Sequence, residues 1–167
     1  MATPEFILSL REKIGNDLLW LTGITAYVED DEGRVLLGRR SDTGEWALVY
    51  GINEPGEEPA DTVIREVKEE TGVDVVPTAL VSVKAGKNIT TYANGDRTQY
   101  LDLTFACRPA EGGCSAPRVG DDESLEVGWF SPDALPEPLA VTTQIRMGRV
   151  RAWREQGSGA ALFSFGE

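Results

Sequence analysis

The chain has 167 residues, 28 of them acidic and 16 basic, for a net charge of −12. That length suits one domain with a full hydrophobic core, and that charge argues against a nucleic-acid backbone or an anionic membrane surface as partner. The absence of histidine excludes Ser-His-Asp and Cys-His catalysis and histidine-ligated zinc.

Residues 4–18 carry Phe6, Ile7, Leu10, Ile14 and Leu18 at helical spacing, which predicts an amphipathic helix packed over a sheet edge or a partner subunit. Residues 20–30 read as a strand, Asp31-Glu32-Gly33 as a turn, and residues 34–40 as a return strand of the same hairpin. Strand alternation sends Arg39 and Arg40 to opposite faces, so at most one faces a cleft. That one could reach a substrate phosphate, since a guanidinium suits bidentate phosphate contacts; a solvated strand end is the plain alternative. Trp46 to Tyr50 is a short strand.

Gly51 to Val73 then organises the chain. Pro59 suits the first turn of a helix and Gly72 its close. Ala60, Val63, Ile64, Val67 and Thr71 recur at the helical period and make the core face. Glu66, Glu69 and Glu70 cluster on another side, where they repel by roughly 0.2–0.5 kcal/mol per pair. A divalent cation would reverse that sign, and carboxylates are the ligands Mg²⁺ and Mn²⁺ prefer. A bare E-x-x-E-E is ordinarily a solvated face. Here, however, it completes the order G-x5-E-x7-R-E-(aliphatic)-x-E-E-x-G-(aliphatic), whose chance occurrence is rarer than roughly one in a million.

Beyond the helix, residues 73–77 and 79–84 are strand material, and Asn94-Gly95 marks a hairpin turn within residues 90–97. Residues 98–107 alternate, with Tyr100, Asp102 and Thr104 on one face and Leu101, Leu103 and Phe105 on the other. The apolar set is core, and the end from Gln99 to Asp102 either lines a cleft or is an ordinary exposed face. Residues 108–122 form a Gly- and Pro-rich loop expected to be mobile. Residues 121–126 are acidic, residues 127–130 form a last strand, and Ser131-Pro132 opens a short helical turn. A closing helix spans 140–156, with Val141, Ile145, Met147, Val150 and Trp153 inward and Arg146, Arg149, Arg151 and Arg154 outward. The aromatic tail around Leu162 to Phe165 is expected to dock, on this chain or a partner.

The stretch from Gly51 to Val73 resembles the Nudix box, with no departure at any defining position. The likeness extends to the Arg39-Arg40 pair, to Trp46 and to the acidic loop before Glu126-Val-Gly-Trp-Phe130. It implies an α/β/α sandwich with a central mixed sheet, one domain over residues 1–167. It also implies an enzyme, a pyrophosphohydrolase that uses Mg²⁺ or Mn²⁺ to cleave a nucleoside diphosphate linked to another moiety. Carried over residue by residue, Glu66, Glu69 and Glu70 match the metal ligands, joined by the carbonyl of Gly51. Glu57 and Arg65 match a pair that orients loop and helix, although Arg65 also stands at ion-pair spacing before Glu69. In the family the acidic loop can deliver a general base or further ligand, for which Glu123 is the first candidate and Glu126 the second. A solvated loop remains the ordinary alternative.

Val49-Tyr50 stands where family members often carry Pro-Gly. The departure touches the backbone path into the metal loop and removes no carboxylate. Tyr50 either stacks on a base or fills a hole in the core. Dinucleoside polyphosphates, nucleotide sugars, ADP-ribose and nucleoside triphosphates all stay open as substrates. Tyr92 lies near where members that cut dinucleoside polyphosphates carry a tyrosine, and no proline occurs between Pro77 and Pro109, which tilts away from ADP-ribose. A non-catalytic nucleotide-sensing domain is the alternative, and the complete set of box glutamates argues against it. The family's isomerase branch relies on histidines, which are absent here. A homodimer is left open. Two cysteines, no basic segment before the first apolar run and no run near the ~20 residues of a spanning helix predict a reduced, cytoplasmic protein.

Overall fold

The computed structural model describes residues 3–163. In chain order the elements are α1 (Glu5–Ile14), β1 (Leu19–Val28), β2 (Val35–Arg40), β3 (Trp46–Ala47), β4 (Val49–Ile52) and α2 (Pro59–Thr71), then β5 (Val75–Ala85), β6 (Thr90–Thr91), β7 (Arg97–Pro109), β8 (Ser124–Phe130) and α3 (Val141–Glu155). One sheet has the order β4-β1-β7-β5, with β6 pairing β7, and a second has the order β3-β2-β8. The β1–β7 ladder is parallel and β1–β4 and β5–β7 are antiparallel, so the larger sheet is mixed.

Alternation along β1 divides two cores. Ile24, Ala26 and Val28 pack with Val63 and Val67 of α2, while Tyr27 joins Val150 and Trp153 of α3. The two helices therefore cover opposite faces of the larger sheet, the α/β sandwich expected from the sequence. Leu36 of β2 enters the first core and Val35 and Leu37 the second, so the smaller sheet closes both.

Several local expectations are corrected. The turn after β1 forms, with Asp30 Oδ1 accepting from the Glu32 and Arg34 amides at 3.0 and 2.8 Å. Only the bridge Glu29–Val35 follows it, and β1 and β2 then part to different sheets. The reason is that β4 and β7 occupy both edges of β1. Likewise, Trp46–Tyr50 is not one strand. It breaks at Leu48, whose amide leaves the ladder and donates to Thr143 Oγ1 of α3 at 3.1 Å. Helix α1 ends at Ile14, where the Gly15 amide closes on the Arg11 carbonyl. Ser131-Pro132, by contrast, opens the single turn expected of it, with the Ala134 amide donating to the Ser131 carbonyl at 2.9 Å.

The loop expected to be mobile is tied down. The Arg118 and Gly120 amides donate to the Thr71 and Glu70 carbonyls, satisfying the C-terminal end of α2. A side chain at Gly120 would run into the Glu69 carbonyl. In the tail, Leu162 bonds through its backbone to Val81 and Val83 of β5 in the same chain, whereas Phe165 lies outside the described residues. Among those residues, no helix is long and apolar enough to cross a membrane.

Candidate active site

Helix α2 positions the acidic residues. Val63 and Val67 bury completely, and this rotation carries Glu66 and Glu70 inward to 3% and 5% exposure. Glu69 stays outward, its side chain 53% exposed. Gly51 on β4 makes room for this arrangement, because a Cβ there would collide with the Glu66 carboxyl. Arg65 joins the elements. Its Nε and Nη2 fork onto Glu57 Oε1 and Oε2 at 2.9 and 3.1 Å. Its Nη1 reaches Glu66 Oε1 at 3.0 Å and Glu69 Oε2 at 3.1 Å. Thr62 Oγ1 donates to Glu57 Oε2 at 2.8 Å, and Asn53 Nδ2 donates to Thr62 Oγ1 at 2.7 Å. Neither Thr62 nor Asn53 stands at a defining box position, so the motif did not announce them.

The electrostatics follow from this packing. The Arg65 bond, then Thr62 and the Glu54 amide, hold the Glu57 carboxyl down at about 2 against the cost of its burial. Burial pushes Glu66 up to about 7, with Arg65 opposing. Burial, then the neighbouring charges of Glu66 and Asp121, push Glu70 up to about 8, and Arg40 opposes. Glu70 Oε1 is buried with no hydrogen-bond partner. A buried carboxylate oxygen without a donor is costly unless something pairs with it.

Among the described residues, no three acidic side chains converge closely enough to grip a metal ion as they stand. Arg65 draws Glu66 and Glu69 to itself. The donor chemistry nevertheless fits a hard divalent cation: carboxylate oxygens, an orphaned buried Glu70 Oε1, and a hollow at Gly51 against Glu66.

Gly51, Arg65, Glu66 and Glu69 line a cleft of about 1720 Å³, together with Arg40, Tyr50, Tyr92, Tyr100 and Glu123, while Glu70 lies buried behind them. The two strand-end arginines diverge as alternation requires. Arg40 lines the cleft, held by Asp42 at 2.8 and 2.9 Å, and its guanidinium lies 4.9 Å from the centre of the Tyr50 ring. Arg39 pairs instead with Glu126 at 2.8 Å, outside the cleft lining. Glu123 lies within 4.0 Å of Arg40, while its carbonyl accepts from the Ser41 amide at 2.7 Å. The Tyr92 hydroxyl meets that of Tyr100 at 2.8 Å.

A family model for the NUDIX domain matches residues 20–152. The chain belongs to the NUDIX family. It is 36% identical over 124 residues to a MutT-like protein of Streptomyces ambofaciens, covering 74% of this chain and 72% of that one. It is 31% identical over 136 residues to the 8-oxo-dGDP phosphatase NUDT18 of Mus musculus, where the match covers 81% of this chain and 38% of that protein's length. A MutT NUDIX hydrolase of Burkholderia pseudomallei superposes with a TM-score of 0.60 at 28% identity, over 79% of this chain and 98% of that one. Membership makes this chain an enzyme of the Nudix pyrophosphohydrolase class.

Two features of this Nudix protein escaped the sequence reading. The first is a cluster on the α3 side of the sheet. Val141 and Ile145, expected inward, are 65% and 52% exposed, whereas Thr143, Val150 and Trp153 are buried. The helix is rotated, so Arg146 and Arg149 face the sheet and meet Asp102 of β7. A buried threonine and a paired arginine do not register in an apolar stripe. Two arginines three residues apart, opposite the polar face of residues 98–107, were the available signal. The second is α1, which lies outside the matched residues yet lines the cleft with Ile7 and Arg11. Arg11 pins it to the carbonyls of Gly15, Asp17 and Arg97 at 3.0, 2.6 and 2.8 Å.

Proposed function

We propose that this protein hydrolyses the diphosphate of a nucleoside diphosphate linked to another moiety, with a divalent cation held by Glu66, Glu69, Glu70 and the carbonyl of Gly51. The observation that carries this reading is the buried, unpartnered Glu70 Oε1 one helical turn from Glu66, a second buried carboxylate that, with Glu69 and Gly51, lines a large cleft. Bound Mg²⁺ or Mn²⁺ supplies charge neutralisation and Lewis acidity toward water and diphosphate. Glu57 and Arg65 hold the helix and loop in register, and Arg40, which lines the cleft, receives a phosphate oxygen. Glu123, on the acidic loop facing the same cleft, takes the proton of the attacking water. Attack at one phosphorus displaces the other phosphate. Residues 1–167 act as a single domain, and the free Cys107 and Cys114 support a cytoplasmic setting.

The test is phosphate release from a nucleotide panel, with Mg²⁺, Mn²⁺ or EDTA, on wild type and Glu70→Gln. The panel holds 8-oxo-dGDP, nucleoside triphosphates, ADP-ribose, nucleotide sugars and diadenosine polyphosphates, with a coupled phosphatase where products need it. Metal-dependent release that Glu70→Gln lowers by orders of magnitude supports the reading. Unchanged turnover in that folded variant sinks the assignment of Glu70, and nucleotide binding without turnover favours a sensing domain.

A further inference from the structure

Tyr50 and Gly51 are consecutive on β4, so their side-chain positions look to opposite faces of the sheet. Gly51 faces the Glu66 carboxyl, while the Tyr50 ring faces Arg146, whose guanidinium lies 5.4 Å from the ring centre. Since β4 ends the strand order of its sheet, both faces open on the same cleft. A ligand whose diphosphate lies at the box can thus extend its attached moiety past the β4 edge toward Tyr50.

What waits there is positively charged. Asp102 accepts from Thr25 Oγ1 at 3.0 Å, from Arg146 Nη2 and Nε at 3.1 and 3.4 Å, and from Arg149 Nη1 at 2.8 Å. Two guanidinium groups share one carboxylate, and among the described residues no other acid pairs with either. One positive charge is left over, in a chain of net charge −12. Arg40, whose guanidinium also lies against the Tyr50 ring, already has its charge matched by Asp42. The side chains of Asp102, Arg146 and Arg149 are 13%, 18% and 26% exposed, so they are held in place before any ligand arrives. Each guanidinium carries five donors, and Asp102 takes only part of that capacity.

We infer that Arg146 and Arg149, set by Asp102 beside Tyr50, form a subsite for an anionic group, carboxylate or phosphate, on the moiety joined to the diphosphate. Asp102 positions the arginines and does not touch the ligand's anion. The hydrolase reading enters only in fixing which end of the ligand reaches the subsite.

The experiment uses ligand pairs that differ by one distal charge: UDP-glucuronic acid against UDP-glucose for a carboxylate, and NADP⁺ against NAD⁺ for a phosphate. For each pair the ratio of kcat/KM is measured on the full chain, and the ratio of calorimetric Kd values with Mg²⁺ present. Wild type should favour the charged partner of at least one pair by about tenfold or more, the range expected for a fork onto an anion. In Arg146→Gln and Arg149→Gln the ratio should fall toward one. Should a glutamine variant fail to fold, high salt on wild type should collapse the ratio in the same way. A wild-type ratio near one for both pairs, or a ratio indifferent to variants and salt, overturns the subsite. If nothing is hydrolysed, the hydrolase reading fails, and the Kd ratios still decide the subsite. The pair that responds tells carboxylate from phosphate.

Discussion

Replacing Arg65 by lysine keeps the charge and removes the fork. Arg65 makes four contacts of 2.9–3.1 Å to three carboxylates. Their weights differ with exposure, since the side chains of Glu57, Glu66 and Glu69 are 20%, 4% and 53% exposed. The Glu69 contact is a surface helical pair, about 0.3–0.5 kcal/mol. A lysine ammonium reaches one carboxylate as a point charge, so one Glu57 bond and the Glu66 bond are lost. At about 1.5–3 kcal/mol for each bond to a charged group, less what water recovers, the loss is about 2–4 kcal/mol. The corresponding fall in Tm is roughly 5–15 °C for a chain of this length. Urea unfolding in EDTA measures this directly, with an unchanged slope showing that only stability moved. A double-mutant cycle with Glu57→Gln should return a coupling of about 1–3 kcal/mol. Stability of Arg65→Lys within ~0.5 kcal/mol of wild type, the scatter of ordinary surface substitutions, would refute the claim that the fork holds helix to loop.

Thr143→Val leaves the Leu48 amide buried and unpaired; it should cost about 1–3 kcal/mol in urea while Thr143→Ser costs less, and equal stabilities would refute the bond's role. Glu57 gives a pH dependence. Its folded carboxyl titrates near 2 against an ordinary 4.5, so its contribution is whole above 4.5 and is lost as pH falls through 2. The acid limb of stability against pH should therefore be flatter in Glu57→Gln, and superimposable limbs would contradict the shift. Arg11→Ala removes the bonds from α1 to the Gly15, Asp17 and Arg97 carbonyls. Hydrogen exchange in residues 5–14 should quicken with β1 and β7 unchanged, and unaltered protection there would show that Ile7 packing alone seats the helix.

Much of this protein was readable from local rules. The box helix begins at Pro59 and closes at Gly72 because those residues suit a first turn and a left-handed close wherever they occur. Its acidic face was legible because three glutamates stand at helical spacing, while a metal role for that face came only from the resemblance to the Nudix box. The divergence of Arg39 and Arg40 followed from strand period alone, although the period does not say which of them meets the cleft.

Tertiary structure decided whatever depended on a partner distant in sequence. β1 and β2 were expected to pair because they are neighbours, but both edges of β1 are taken by strands from farther along the chain. The loop expected to be mobile is anchored because the Arg118 and Gly120 amides complete the carbonyl end of α2. Arg146 and Arg149 turn inward because Asp102, more than forty residues earlier, lowers the cost of holding their charge at the sheet. Glu66 and Glu70 are buried acids rather than part of a solvated stripe, because the packing of Val63 and Val67 sets the rotation of their helix. Spacing along a chain determines which side chains share a face; only the packing of other elements determines whether that face meets water, a core or an opposite charge.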